Sequence, residues 1–264
     1  MKKRNSTKSF VLTISALLLV VAFVPTNFAQ SQTPAPQLYY VQVIKTNPGM
    51  GNEWREFYKN EILPVLKKGG AKQSTVLATS FGDTRDYIII APLESLARLD
   101  EPNLLVKALG QEAARALNMK QSRLLAEWHI YISQSRPDLG IAPTSTEPAK
   151  LAVMVRQHVT PGRALEFKKW AKENPLLIAK KINAKGVLTG KTLMGGDPNT
   201  YTTFILYDSY ADISKYQTEM VKAAAEMKLS LVAPAGLVAH TETLVVRDMP
   251  ELSIRPAPQK AENK

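Results

Sequence analysis

The chain contains no cysteine. That excludes disulfides, thiolate catalysis, cysteine-ligated metals or clusters, and a lipid anchor built on an amino-terminal cysteine. Histidine is scarce too: three occur in 264 residues, at positions 129, 158 and 240. No His-x-x-x-His, His-Glu-x-x-His or clustered carboxylate spacing occurs, so neither a metal nor any other cofactor is expected. There is no Gly-x-Ser-x-Gly elbow and no complete nucleotide-binding fingerprint; Gly49-Met50-Gly51 and Gly195-Gly196-Asp197 read as turns. The apolar run Phe10 to Val24 is 15 residues, short of the roughly 20 that a spanning helix needs.

What is present begins with an export signal. Lys2, Lys3, Arg4 and Lys8 form a basic region, the apolar run follows, and Pro25-Thr26-Asn27-Phe28-Ala29 supplies a breaker and a small residue. Residues 1–29 therefore read as a signal peptide cut after Ala29. Lys3-Arg4 is not a twin-arginine pair, so general secretion to the bacterial periplasm or beyond is expected, with no stable membrane anchor after cleavage. The signal carries four of 34 basic and none of 23 acidic residues, leaving 30 − 23 = +7 on the mature chain. Its basic residues are scattered (Lys67-Lys68, Lys168-Lys169, Lys180-Lys181) where helix ends and solvated faces are expected, so nucleic acid is not an expected partner.

Past the signal and a short Pro/Gln leader, residues 30–37, the chain repeats itself with a period of about 110 residues. Tyr39 to Ile44 leads through Pro48-Gly49 into Glu53-Trp54-Arg55-Glu56-Phe57; Leu151 to Val155 leads through Pro161-Gly162 into Glu166-Phe167-Lys168-Lys169-Trp170. Gly82-Asp83-Thr84-Arg85-Asp86-Tyr87 matches Gly196-Asp197-Pro198-Asn199-Thr200-Tyr201. The strand from His129 runs out to Arg136-Pro137-Asp138-Leu139, and that from His240 to Arg247-Asp248-Met249-Pro250-Glu251-Leu252. Such a long period implies two duplicated domains, not a solenoid. The modules are placed at 38–138 and 151–252, joined by a linker at 139–150 and followed by a polar tail at 253–264. Each is large enough to bury its own core.

In the first module the pattern predicts strands at 38–46, 73–81, 87–91 and 127–134. It predicts a helix over 50–68 kinked by Pro64, and a helical region over 94–125 broken at Pro102 with Leu104-Leu105, Ala108-Leu109, Ala113, Ala116-Leu117 and Leu124 as its buried stripe. The second repeats the order: strand 151–159, helix 162–181 kinked at Pro175, strands 185–194 and 200–207, helix 209–228, strand 238–246. The order β-α-β-β-α-β is the ferredoxin-like arrangement, whose four-stranded sheet leaves one face to be covered by a partner. The expected fold is α+β: two tandem ferredoxin-like modules packed sheet to sheet as an intramolecular α/β barrel.

Two such modules, each with a Pro-Gly turn opening its first helix and a Trp or Phe in its first turns, resemble the dimeric α/β-barrel superfamily. The spacing and the closing Arg136-Pro137-Asp138-Leu139 are most similar to the NIPSNAP-type and stress-responsive barrel branch. The resemblance covers residues 38 to 252 and implies fold more than activity: its members include cofactor-free monooxygenases, small-lactone isomerases, haem proteins and binders of unknown ligand. The haem-binding relatives carry an axial histidine on a helix of the second module, and no helix of the second module here contains one.

Strand alternation puts His129, Tyr131 and Ser133 on one face, and His240, Glu242 and Leu244 on one face in the second module. These rows can line the space between the sheets, where a histidine paired with Tyr131 or Glu242 can shuttle protons near neutral pH. Alternatively both histidines sit at strand ends, satisfying local carbonyls or water. Arg156 and His158 make a cationic strand end able to hold an anion, or a solvated rim. Tyr87 and Tyr201, opening the third strands after matching Gly-Asp turns, are further ligand-binding candidates, while Trp54, Phe57, Phe167 and Trp170 read as helix-to-sheet core. Three functions are open: binding of a small apolar or aromatic molecule between the sheets, cofactor-free monooxygenase or isomerase chemistry with a strand-four histidine as base, or a structural module without ligand. A homo-oligomer is also compatible, although the tandem copy already supplies the pairing that separate chains otherwise provide.

Overall fold

The computed structural model describes residues 35–145 and 147–256. Residues 1–29, read as a signal peptide, most of the segment read as leader and the last eight residues of the tail lie outside the described residues. Eight strands form one closed antiparallel barrel: β1 (Leu38–Thr46), β2 (Thr75–Phe81), β3 (Asp86–Leu93), β4 (Leu125–Ser135), β5 (Leu151–Val159), β6 (Val187–Met194), β7 (Thr200–Tyr207) and β8 (Val238–Asp248). Their order round the barrel is β1-β3-β2-β8-β5-β7-β6-β4. Each half contributes four strands in the order fourth, first, third, second. The halves join edge to edge, through β2 with β8 and β4 with β6, rather than face to face. Closure gives every edge strand a partner, which an open four-stranded sheet cannot do.

The helices lie outside. Over the first half run α1 (Gly51–Phe57), α2 (Leu63–Lys68), α3 (Leu104–Leu109) and α4 (Gln111–Ser122); over the second, α5 (Ala164–Glu173), α6 (Pro175–Lys181) and α7 (Tyr210–Met227). The Pro-Gly turns behave alike, with Gly49 at φ 78° and Gly162 at φ 83°, backbone that favours glycine.

Three local features differ from the sequence pattern. Between α1 and α2 the segment Tyr58–Ile62 is π-helical; Pro64 lacks an N–H and its ring crowds the carbonyl four residues back, and the widened turn just upstream absorbs both. A second break at Gly110, φ 79°, separates α3 from α4. The buried stripe of α4 is Ala114, Leu117 and Gln121, not Ala113 and Ala116.

The outward sheet face of the first half packs under its helices through Ile44, Val76, Tyr87 and Ile89 against Trp54, Tyr58 and Leu117. Over the second half Val159 and Tyr201 meet Phe167, while Ile178 meets Ala223 and Ala224. Neither half finishes its own core. Leu139, at the end of the first half, is buried with Phe167 and Tyr201. Met249, Leu252 and Ile254, at the end of the second, are buried with Trp54 and Tyr87. Two isolated bridges fall in the segments read as linker and tail: Ile141 bridges Val187, and Ile254 bridges Ser74 ahead of β2. A lone apolar anchor has no periodicity, which is why these segments read as loop.

Candidate functional site

Cross-strand partners share a face. Along β1, Lys45 pairs Asp86 and Glu127, Val43 pairs Ile88 and His129, and Val41 pairs Ile90 and Tyr131. Along β5, Ala152 pairs Val246, Met154 pairs Leu244, Arg156 pairs Glu242, and His158 pairs His240. Val41, Ile88, Ala152, Met154 and Val246 form one buried cluster drawn from four strands, which identifies this face as the lumen. Tyr39, Leu77, Tyr131, Phe204 and Leu244 pack onto it. The middle of the barrel is thus a packed apolar core rather than a chamber between sheets.

Polarity gathers at one end. Four antiparallel steps separate β1 from β5, so both run the same way and their last residues open at the same mouth. On the first half, Lys45 lies 3.5 Å from Asp83, 4.0 Å from Asp86 and 3.4 Å from Glu127. His129 Nε2 is 3.2 Å from Glu127. On the second half Arg156 donates to Glu242 at 2.7 Å. His158 Nδ1 is 3.3 Å from Asp197 and 3.1 Å from the Thr200 hydroxyl, and its ring centroid is 5.8 Å from that of His240.

The two halves of the mouth sense one another. Burial pushes the Asp86 carboxyl above its ordinary pKa; Lys45 opposes this, while Asp83, Glu127 and, from the other half, Glu242 add to it. The Asp86 side chain is 19% exposed, yet its Oδ1 is buried without a hydrogen-bond partner among the described residues. Burial likewise raises the Tyr131 phenol, against the pull of Arg156 across the lumen. Glu127 is held low, first by its hydrogen bond with His129.

Six of the sequence candidates, His129, Tyr131, Arg156, His158, His240 and Glu242, therefore meet at this mouth. Their exposure is uneven: the His129 side chain is 68% exposed, whereas Tyr131 packs on the lumen core. Tyr87 and Tyr201 do not join them. One residue out of register, both face the helices, Tyr87 with its ring 4.3 Å from Trp54 and Tyr201 4.7 Å from Phe167. Asp86 was hidden from sequence reasoning because it follows Gly82-Asp83-Thr84-Arg85 and reads as turn. Counting two residues back from Ile88 places it on the lumen face. Among the described residues, no group of three or more His, Asp or Glu is placed to hold a metal ion.

No protein-family model matches the chain, nor does any curated protein sequence. Solved structures do match in fold. A proposed monooxygenase from Lactobacillus acidophilus is 10% identical with a TM-score of 0.51, covering 81% of this chain and 93% of its own. A chlorite dismutase variant from Candidatus Nitrospira defluvii is 12% identical with a TM-score of 0.53, covering 81% and 92%. An anthrone oxidase-like protein is 12% identical with a TM-score of 0.50, covering 81% and 91%. This chain shares with them a mixed α+β fold built on a closed, eight-stranded antiparallel barrel.

Proposed function

We propose that the barrel mouth binds a small molecule with an apolar or aromatic body and one acidic or hydrogen-bonding group. Asp86 carries this reading: a carboxyl with an orphaned buried oxygen and a raised pKa, inside a ring of charges from both halves. A wall that only packs has no use for such a group, and sites that bind or transfer protons do. The body of the ligand rests on Val43, Ile88 and Leu244; its polar group meets Arg156, Glu242 and the histidines.

The second reading is cofactor-free oxygenation or isomerisation, supported by fold likeness to monooxygenase-type proteins. In it Asp86, a stronger base for its raised pKa, or His129 or His240, takes a proton from an activated carbon, and Arg156 faces the resulting anion. For anthrone the balance is anthrone plus O2 giving anthraquinone plus water, with oxygen the oxidant. The repeated strand order supports internal duplication; the closing Arg136-Pro137-Asp138-Leu139 supports the NIPSNAP-type branch; residues 1–29 support export.

All three histidines lie at the mouth, so their ring protons are a local NMR reporter. Anthrone under nitrogen is expected to shift them saturably, and Asp86→Asn and Arg156→Gln to weaken binding at least fivefold; anthraquinone formed under air would establish the catalytic reading. If anthrone and a panel of phenols and aromatic acids leave all three histidines unmoved, the barrel is a structural module. Stability gives an independent check. With its folded pKa above the unfolded one, Asp86 costs stability as pH rises through about 4 to its folded value. Asp86→Asn is therefore expected to raise Tm at pH 7 by about 2 °C, a gain that vanishes below about pH 4.

A further inference from the structure

Outside the barrel the halves present two equivalent corners, where the first helix of one half meets the segment trailing the last strand of the other. At the corner of the second half, Arg136 donates to both oxygens of Asp138 at 2.8 and 2.7 Å. Lys172 lies 3.0 Å from the same carboxylate. Lys191 Nζ stands 5.9 Å above the Tyr201 ring. The Asp138 carboxyl is held down to about 2, first by its hydrogen bonds from Arg136. This corner holds an anion of its own.

At the corner of the first half the repeat puts Arg247 in place of Arg136, Tyr87 of Tyr201, Lys59 of Lys172 and Ala78 of Lys191. Five positions separate Arg247 from Leu252, against three between Arg136 and Leu139. The two added residues carry the acid before the leucine, Glu251, away from the arginine. Asp248 pairs instead with Arg255. Among the described residues neither Arg247 nor Arg55 lies within 4.0 Å of a carboxylate oxygen, and Arg55 bonds only to Asn52. Ala78 leaves open the space that Lys191 covers.

The result is a solvent-open cleft of about 470 Å³ lined by Arg55, Arg247, Tyr87, Thr79, Ser80 and Thr84. Arg55, Arg247 and Tyr87 line it together; burial raises the Tyr87 phenol, and both guanidinium charges oppose that. Thr79 pairs Val246 and so turns its side chain to the lumen, leaving Ser80 and Thr84 as the hydroxyls of the cleft wall. A second cleft shares Asn52 and Arg55 and continues to Lys59, Glu56 and Glu251, a wall of both signs suited to a polar body.

We propose that this corner binds the phosphate group of a small polar molecule, where the other corner binds Asp138. Two guanidinium forks with hydroxyl donors match a phosphate, which offers more acceptor oxygens than a carboxylate. The site is independent of the barrel mouth, and the tryptophans separate the two. Trp54 packs on Tyr87 and reports this corner, Trp170 packs on Phe167 and reports the other, and the histidines report the mouth.

The test is NMR titration of the full mature chain with inorganic phosphate, glycerol 3-phosphate and acetate at constant ionic strength. Either phosphate compound is expected to shift the Trp54 indole saturably while the histidines stay still. Tighter binding of glycerol 3-phosphate assigns the site to a phosphomonoester; equal affinity assigns it to free phosphate. Arg247→Gln and Arg55→Gln should each weaken binding at least tenfold, and Lys222→Gln, on exposed α7, should not. Asp138→Asn should add a second phosphate site read by Trp170. The proposal is overturned if neither phosphate compound saturates, if acetate binds as tightly, or if both arginine variants bind like the parent. The two arginine variants remove no buried side chain, so they keep the test decisive even if Asp138→Asn fails to fold.

Discussion

The helix layer over the first sheet is built on Trp54, Tyr58 and Tyr87, and the equivalent layer over the second on Phe167, Ala171 and Tyr201. In the first, the Trp54 indole and Tyr58 hydroxyl are buried without partners among the described residues, and the corner beside them is open, with two arginines that pair with no carboxylate there. In the second, Phe167 and Ala171 carry no polar side-chain atom, although the neighbouring Trp170 indole is also buried without a partner among the described residues, and Arg136, Asp138 and Lys172 close the corner. One backbone plan thus serves two purposes. The second half uses its charges on itself, and the first leaves them free for something else.

The sharpest way to break this comparison is through the tails. Leu252→Ala and Leu139→Ala each remove a buried leucine that completes the other half's core, and each is expected to cost about 2–4 kcal/mol in urea denaturation. Both variants should still unfold in one transition; two separated transitions would show that the halves are independent after all.

A smaller effect sharpens the contrast at the closed corner. Because Arg136 holds the folded Asp138 pKa at about 2, below its unfolded value, the ion pair contributes stability that is full above about pH 4 and lost as pH falls through about 2. Asp138→Asn is expected to cost about 1 kcal/mol at pH 6, discounted for solvent screening, and nothing near pH 2. An equal cost at both pH values would assign the loss to packing. The smallest effect is at Tyr58. Burial alone drives its phenol far above the ordinary range and its hydroxyl has no partner, so Tyr58→Phe is expected to stabilise by about 0.5 kcal/mol in the same assay. A loss instead would mean that an ordered water or a ligand satisfies that hydroxyl.

Element order was legible in the sequence because strands and helices write their periods over many residues; β5 matches its expected bounds at both ends. What stayed hidden was written in single residues. Gly110 divides a helical region by its φ alone, Leu139 and Ile254 are isolated anchors in segments that read as linker and tail, and Leu252 is one at the very end of the second module. At the mouth, alternation placed His129 with Tyr131 and His240 with Glu242 correctly. Asp86 was obscured because a strand's first residue looks like the turn before it. The open corner was invisible for a different reason: it depends on a two-residue difference between tails that touch the opposite half.

The exchanged tails also bear on the order of events during synthesis. The first half emerges with one edge each of β2 and β4 unpaired and a core lacking Leu252, so it cannot close until the last strand has left the ribosome. Nearly every strand contact across the seams is remote in sequence, which makes closure late and concerted. Under the proposed export of the chain through residues 1–29, such lateness would keep the polypeptide threadable until it had crossed a secretion channel.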